Sequence, residues 1–226
     1  MKGNTLLPTG PQFEWVDQHG TQFSSNVDPV PTGTSIVASS VKSAVLPLLP
    51  VIGGSGPQLK VSSLGPIGAL LGIPSGSKAV NAVDLTTPAA TTTAYIVGAP
   101  QLTLIYSGTG TSRHVYAQLV DDTTGLVLGN LVTPVPVTLD GQTHTVSVPM
   151  EMVAQTLSPG ETVTLQLVAS AFPYETITSL GQLDVSGMTL SFADPECRGH
   201  HAISRGADHQ CGVGGSPRSG RGRPRY

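Results

Sequence analysis

Glycine-flanked serines are the residues that come nearest to a nucleophilic site in this sequence. A nucleophilic serine on a sharp strand-to-helix elbow needs the spacing Gly-x-Ser-x-Gly, because only small residues permit so tight a turn. At residues 53–57 a proline, Pro57, stands where the second glycine is needed, and at residues 72–76 Ser75 lies three positions after the first glycine. Neither segment precedes a helical pattern, so both are interpreted as loops.

Two histidines and one aspartate are the candidates for an acid–base pair beside such a serine. His114 and His144 each lie in a segment with strand-like alternation, and Asp121 follows the first of these segments. Serine and threonine are so frequent here that a Ser–His–Asp set has meaning only when geometry brings the three together. Both histidines are therefore interpreted as surface or cross-strand residues, and no catalytic residue is assigned.

Two groups of residues have a superficial likeness to metal sites. Asp121 and Asp122 precede Gly125 as in a hairpin turn, and the alternating oxygen ligands and distal glutamate of a calcium loop are missing. The second group has irregular spacing, intervening arginines and no apolar support, unlike a zinc site. It comprises Cys197, His200, His201, His209 and Cys211. The sequence therefore predicts no metal site and no cofactor.

Charge divides the chain into an acidic body and a basic tail. Residues 1–194 carry five basic against twelve acidic groups, a net charge of −7, whereas residues 195–226 carry six arginines against two acidic groups, a net charge of +4. The body lacks the basic surface that nucleic acids require. The Arg/Gly-rich run at 218–225 is interpreted as a solvated segment, and no nucleic-acid partner is predicted.

No segment has the length and smoothness of a membrane span. The apolar stretch at 41–76 contains five prolines and Lys60, whereas a spanning helix needs about 20 uninterrupted apolar residues. The first eight residues lack the apolar run of a secretory signal peptide. The compartment and the oligomeric state are left open.

Composition favours many short strands over helices. The chain has 27 glycines and 19 prolines, with 38% hydrophobic and 11% charged residues. This mixture is too apolar for a disordered chain and too rich in helix breakers for a helical bundle. Period-2 alternation, separated by turn signals, recurs in the segments 101–106, 114–120, 143–148, 162–169 and 188–192. The predicted fold is all-β, an antiparallel β-sandwich.

Four zones follow from these patterns. Residues 1–30 are predicted to be a linker, and residues 31–92 a Pro/Gly/Ala-rich segment of loops and short strands packed on the sandwich. Residues 93–194 are predicted to form the sandwich core. Residues 195–226, with almost no aliphatic side chains, are predicted to be disordered because nothing there compensates the entropy of ordering.

Three local patterns add expectations within these zones. Phe13, Trp15 and Asp17 alternate with their neighbours, which predicts a short extended piece. The glycines at 108–110 predict a turn after the first strand of the core. Residues 150–157 are expected to form one or two helical turns.

Several segments, taken in order, resemble the C-terminal domain of Xaa-Pro dipeptidyl-peptidase and cocaine-esterase-like serine hydrolases. Residues 96–100 contain the family's Gly-x-Pro at the opening of a strand, and residues 115–121 form a later strand that ends in an acidic turn. Residues 157–167 are similar to the family's Pro-Gly turn into a Leu-x-Leu strand, and residues 13–20 to the linker after the catalytic domain. The similarity covers roughly residues 11–192 and is greatest to the large actinobacterial members.

The resemblance implies a jelly-roll, galactose-binding-like domain that packs on an α/β-hydrolase catalytic domain and helps to shape its active-site mouth and its assembly. The family's nucleophile, acid and base belong to that preceding domain, so none is carried over to this sequence, which lacks it. The implied partner is this catalytic domain. Arginine, glycine, histidine and cysteine increase abruptly after residue 194, and we hypothesise a shifted reading frame. It predicts that DNA upstream of residue 1 or past residue 194 encodes hydrolase sequence in another frame.

Two other functions stay open on the sequence. A stand-alone module that binds carbohydrate or a cell-envelope component needs exposed aromatic side chains, and the strand zone offers Tyr95, Tyr106, Tyr116 and Tyr174. A complete small hydrolase needs the missing serine elbow. The expected function is therefore that of an accessory domain, a fragment of a serine hydrolase without activity of its own.

Overall fold

Strands make up almost all the regular structure of this chain. The computed structural model describes residues 13–25, 35–49, 54–59, 76–171, 180–192 and 209–211. Within these ranges the one helical element is a single 3-10 turn at Leu128–Asn130, and no helix is long and apolar enough to span a bilayer. The prediction of an all-β sandwich is confirmed.

Nearly all the strand pairings are antiparallel; the exceptions are the short pairs β5–β17 and β2–β19. In chain order the strands of the described residues are β1 (Phe13–Val16), β2 (Gln22–Ser25), β3 (Ile36–Ser40), β4 (Ala44–Pro47), β5 (Ser55–Gly56), β6 (Gln58–Leu59), β7 (Gly76–Ser77), β8 (Val83–Thr86), β9 (Ala94–Gly98), β10 (Gln101–Gly110), β11 (His114–Asp121), β12 (Leu126–Val127), β13 (Thr133–Pro136), β14 (His144–Pro149), β15 (Val153–Leu157), β16 (Val163–Val168), β17 (Ser170–Ala171), β18 (Gly181–Phe192) and β19 (His209–Cys211).

One layer of the sandwich has the two long strands β10 and β18 at its centre. The strand order is β14-β10-β18-β3, and β4 also pairs with β18. Strand β18 is long enough that its first half pairs with β4 and its second half with β3. Alternation in β10 turns Leu102, Leu104 and Tyr106 inward, as the period-2 pattern predicts.

The other layer is built on β11 and β16. Its strand order is β6-β7-β12-β11-β16-β8, and β13 also pairs with β11. All six residues of β16 are buried because both faces of this strand are covered. Val163, Leu165 and Leu167 face the main core between the layers, and Val168 joins a smaller cluster with Tyr116 and other residues on the opposite face.

The glycines at 108–110 lie in strand β10 rather than in the predicted turn. Gly110 pairs with Gly181 of β18, and Gly108 pairs with Leu183. A Cβ on Gly108 would collide with the carbonyl oxygen of Gln182. The glycines thus permit two backbones to approach closely, which is the other structural use of this residue in strands.

Residues 153–157 form strand β15, so the predicted helical turns are wrong in this segment. The strand pairs with β9, and Gln155 and Leu157 are buried on the same side. Alternation of apolar and polar residues over so short a segment is too weak a signal to exclude a helix. The extended conformation is decided by pairing with β9, a strand about 60 residues earlier in the chain.

Strands from residues 31–92 belong to the sheets themselves and do not only pack on them. Strands β3 and β4 extend the first layer, and β8 is an edge of the second. They contribute Ala38, Leu46 and Leu85 to the main core. The glycine- and proline-rich composition of this segment obscured three regular strands.

The described part of the predicted linker is a hairpin of β1 and β2, which includes the expected extended piece. Strand β19, within the tail that the sequence predicts to be disordered, pairs with β2, so these three residues differ from that prediction. The rest of residues 195–226 lies outside the described residues, as do residues 1–12 and 26–34.

Candidate functional site

The N-terminal hairpin is held in shape by one buried carboxylate. Asp17 Oδ1 accepts hydrogen bonds from the backbone N–H groups of His19 and Thr21, both at 2.9 Å. Gly20, at φ +77°, completes the turn in a backbone region that glycine adopts without strain. Asp17 and Trp15 are buried while Glu14 and Val16 are exposed, as the alternating pattern predicts.

The hairpin docks on strand β15 through polar bonds at its turn. Gln18 uses its side-chain amide as a strand backbone would, because Nε2 donates to the carbonyl oxygen of Thr156 and Oε1 accepts from the N–H of Thr156, at 2.6 and 2.8 Å. The hydroxyl of Thr156 donates to Asp17 Oδ2 at 2.7 Å. These three bonds fix the tip of the hairpin relative to the sandwich.

Aromatic stacking holds the strands of the hairpin on the same surface. Trp15 stacks on Phe23 with ring centroids 5.4 Å apart, and Phe23 meets the edge of Tyr95 on β9 at the same distance. Such pairs contribute about 0.5–1.5 kcal/mol each beyond their buried area. The hairpin is therefore an integral part of the fold in the described structure.

A second turn, at residues 121–125, lies near the tip of the hairpin. Asp121 Oδ1 accepts from the N–H of Thr123 and Oδ2 from the hydroxyl of Thr124, both at 2.9 Å. The N–H of Gly125 donates to the carbonyl oxygen of Asp121 at 2.7 Å. The hairpin-turn interpretation of this acidic segment is confirmed, because its carboxylate bonds the turn itself.

A cleft of about 540 Å³ separates the hairpin from this turn and from strand β15. Apolar and polar side chains both line it, and Val16 and Met152 are the most exposed of the apolar ones, at 51% and 69%. Asp17, Asp121 and Glu161 are also among its lining residues. Neither lysine nor arginine is present among the described lining residues, and the one histidine among them is His19.

The described lining of the cleft contains no serine or cysteine that could act as a nucleophile. The hydroxyl of Thr124 donates to Asp121, and that of Thr123 donates to Glu161 Oε1 at 3.3 Å. Sequence reasoning noted Asp17 and Asp121 but missed Glu161 and Met152, whose convergence no local pattern signals.

The structure describes the serine of the first glycine-flanked segment but not that of the second. Ser55 lies in the two-residue strand β5, which pairs with β17 instead of leading into a helix. The backbone carbonyl of Gly54 accepts a bond from the hydroxyl of Ser170 at 3.2 Å. Of residues 72–76, Gly76 belongs to strand β7 and the others lie outside the described residues.

The histidines and Asp121 have different surroundings and do not form a triad with each other. His144 Nε2 lies 2.8 Å from Asp140 Oδ1, and its ring packs beside Tyr106 across the β10–β14 pair. The hydrogen bond from His144, followed by one from the N–H of Gln142, lowers the pKa of Asp140 from its ordinary value of 3.8. The cross-strand interpretation of His144 is confirmed, and His114 is an exposed residue at the start of β11.

Other predicted candidates lie largely outside the described structure. Among the described residues, no group of three His, Cys, Asp or Glu side chains could hold a metal ion. Cys197, His200, His201 and the arginine-rich run at 218–225 lie outside the described residues. For His209 and Cys211 the structure describes the backbone but not the side chains.

The tyrosines do not form an exposed platform in the described part of the chain. Tyr106 and Tyr116 are buried, and the hydroxyl of Tyr106 accepts a bond from the N–H of Thr138 at 2.9 Å. Tyr95 packs on Phe23, and Tyr174 lies outside the described residues. The aromatic surface that a carbohydrate module requires is not found among them.

Solved hydrolase structures share this fold. No protein-family model matches the chain, and no curated protein matches it. A CocE/NonD family hydrolase from Staphylococcus aureus is similar with a TM-score of 0.51 at 11% identity, and an aminopeptidase from a Thaumarchaeota archaeon with a TM-score of 0.53 at 9% identity. Each comparison covers 81% of this chain, and 42% and 40% of the respective hydrolase.

What these proteins share with the chain is the fold. The chain spans about two-fifths of the length of both hydrolases, so the likeness is to a part of each and not to the whole. At identities this low, similarity of architecture does not transfer an activity.

Proposed function

We propose that this chain is the accessory, non-catalytic β-sandwich domain of a serine hydrolase related to the Xaa-Pro dipeptidyl-peptidases and cocaine-esterase-like enzymes, of actinobacterial type. The observation that carries the proposal is the extent of the structural likeness. Most of this chain corresponds to about two-fifths of two solved hydrolases, one of them described as an aminopeptidase. The ordered sequence segments that resemble the C-terminal domain of this family support the same conclusion.

In this proposal, a separate α/β-hydrolase domain supplies the nucleophile, the acid and the base. The sandwich contributes a rigid surface, of jelly-roll and galactose-binding-like topology, against which the hydrolase domain packs. Rigidity follows from the double-layer core and from the hairpin, which Gln18 and Thr156 fix by paired bonds. A surface that does not move lowers the entropy lost when the two domains assemble.

The chemistry within this chain agrees with such a role. The carboxylates of Asp17 and Asp121 accept hydrogen bonds from the turns that contain them, and His144 pairs with an exposed aspartate. We assign no catalytic residue, metal ligand or cofactor to the described residues. The domain acts through contact and shape.

The purified chain should be inactive in esterase and dipeptidyl-peptidase assays, and a fluorophosphonate probe should label none of its serines. The measurements are product formation and mass spectrometry of the treated protein, with a known serine hydrolase as positive control. Labelling of one serine would contradict the proposal. Binding on a glycan array, with no labelling, would instead favour the stand-alone binding module.

A further inference from the structure

The loop that joins β13 to β14 contains an aspartate directly followed by a glycine. Asp140–Gly141 is the one Asp-Gly pair in the sequence, and the sequence has no Asn-Gly pair. In such a pair, the following residue has no side chain, so its backbone nitrogen has open access to the carboxyl carbon of the aspartate. Both residues are exposed, and a Cβ on Gly141 would meet only the methyl group of Thr109, at 3.7 Å. The loop therefore places a reactive peptide unit in contact with water.

Three hydrogen bonds hold the two groups that would react. Asp140 Oδ1 accepts from His144 Nε2 at 2.8 Å and from the N–H of Gln142 at 2.9 Å. The N–H of Gly141, which carries the attacking nitrogen, donates to the carbonyl oxygen of Gly108 at 2.7 Å. Attack on a carboxyl carbon needs one orientation of the carboxyl plane relative to the nitrogen. Bonds that restrict the rotation of this carboxyl group therefore slow the attack.

His144 also keeps this carboxyl group ionised. Its hydrogen bond is the first cause, before the bond from Gln142, of a pKa of Asp140 below the ordinary value of 3.8. In ring closure a carboxyl oxygen leaves as water, and an ionised carboxylate lacks a proton that the neutral acid already carries. The same bond thus slows the reaction by holding the group in position and by holding its charge.

We infer that Asp140–Gly141 is a site of spontaneous isoaspartate formation in the folded protein, and that the bond from His144 sets the rate. The nitrogen of Gly141 forms a bond to Cγ of Asp140, and its proton leaves with the carboxyl hydroxyl as one water molecule. The product is a five-membered succinimide. Water then adds to one of the two ring carbonyls and breaks its bond to the nitrogen.

Opening at Cγ restores aspartate, whereas opening at the main-chain carbonyl gives isoaspartate, in which the chain runs through Cβ and Cγ. The reaction needs water alone, so the inference stands independently of the proposed function.

Isoaspartate lengthens the main chain by one carbon where the loop is tied to strand β10. Asp140 forms a β-bridge with Thr109, and the N–H of Gly141 bonds Gly108. The added carbon cannot be accommodated with both contacts in their present register. Conversion therefore loosens the loop before β14 from the end of β10.

The test is ageing of the purified full chain in warm buffer at neutral pH, followed by proteolysis and electron-transfer mass spectrometry, which distinguishes isoaspartate from aspartate by its fragments. The native protein should accumulate isoaspartate at residue 140 through an intermediate lighter by one water. His144→Val should convert about two- to fivefold faster, as expected for loss of a partly exposed charged pair. His144→Gln keeps an N–H donor near the position of Nε2 and should convert at close to the original rate.

Matched variants separate the hydrogen bond from other effects. His144→Thr removes the same bond with a second side chain that suits strands, and should convert as fast as His144→Val. His114→Val removes an exposed histidine at the start of β11 and should not change the rate. Circular dichroism before ageing shows which variants are folded, and the chain aged in urea gives the rate without any of the three bonds.

Isoaspartate that forms only in urea would overturn the inference, because the folded loop would then exclude ring closure. Equal rates in the native protein, His144→Val and His144→Thr would remove the role of His144. An increase of the same size in His114→Val would assign the effect to overall charge and would also contradict it.

Discussion

Asp121, the aspartate weighed as a catalytic acid, serves with two other carboxylates as a hydrogen-bond acceptor for turns. Asp17, Asp121 and Glu161 each bond a backbone N–H close to them in the chain. Asp122 instead bonds across strands, since Oδ2 accepts from the hydroxyls of Thr162 and Thr164 at 2.7 and 2.8 Å. Side chains of Asp and Thr compete well for such bonds at strand ends, which explains their concentration there.

The Asp140–His144 pair gives a prediction for pH. His144→Val removes the bond that contributes most to lowering the pKa of Asp140, so this pKa should rise towards 3.8. Because the folded pKa lies below that value, the pair stabilises the native state above pH 3.8 and loses its effect as pH falls through the folded pKa. The measurement is a carboxyl-carbon NMR titration.

His114→Val is the matched control for that titration, since His114 also lies in a strand and is exposed. It should leave the pKa of Asp140 unchanged. An equal rise in both variants would show that loss of overall charge, and not the hydrogen bond, sets this pKa.

Among the elements, β10 and β18 depend on glycine for their close approach. Gly108 and Gly110 on one strand pair with Leu183 and Gly181 on the other, and side chains added at either glycine would meet backbone atoms of that strand. The same pair contains a register shift between Ile105 and Tyr106. The small residues let these two strands approach closely at this end of the pair.

Gly108→Ala should destabilise the fold by about 3 kcal/mol, because its Cβ forces two paired backbones apart. Urea denaturation followed by circular dichroism measures the change. Gly160→Ala provides the comparison: its Cβ meets nothing within 4 Å, and only its φ of +91° opposes the substitution. Its cost should be about 1 kcal/mol. Equal costs would contradict the role of close approach in β10.

In the whole molecule, both layers take edge strands from the segment before residue 93. Strands β3 and β4 border β18, and β8 borders β16. Without them, Leu165 would lose its cross-strand partner Leu85, and the main core would lose the buried side chain of Leu46. The sandwich therefore needs the glycine- and proline-rich segment in order to close.

A fragment of residues 93–194 should fail to unfold cooperatively, whereas a fragment of residues 30–194 should show a single transition. The first lacks β3, β4 and β8, and the second keeps all three. Heating monitored by circular dichroism distinguishes a cooperative transition from a gradual change. A sharp transition in the shorter fragment would show that residues 93–194 suffice as a core.

Part of the candidate site could be predicted from the sequence. The alternation of Trp15 and Asp17 with exposed neighbours gives the first wall, and the acidic turn at Asp121 gives the second. The third wall could not be predicted from the sequence, because it depends on strand β15, for which helical turns were expected. The side-chain pairing of Gln18 with Thr156 has no sequence signature, since it joins residues 138 positions apart.

Strand identity and inward faces of β10, β11 and β16 were determined by the sequence alone, because alternation along a strand is a local property that each segment carries by itself. The tertiary structure decided which strands are neighbours, how the segment before residue 93 enters both sheets, and that β15 is extended. It also brought Val16, Asp121 and Met152 to one cleft. The physical reason is that pairing and burial join residues distant in the chain, and their free energy exists only when the partner is in place.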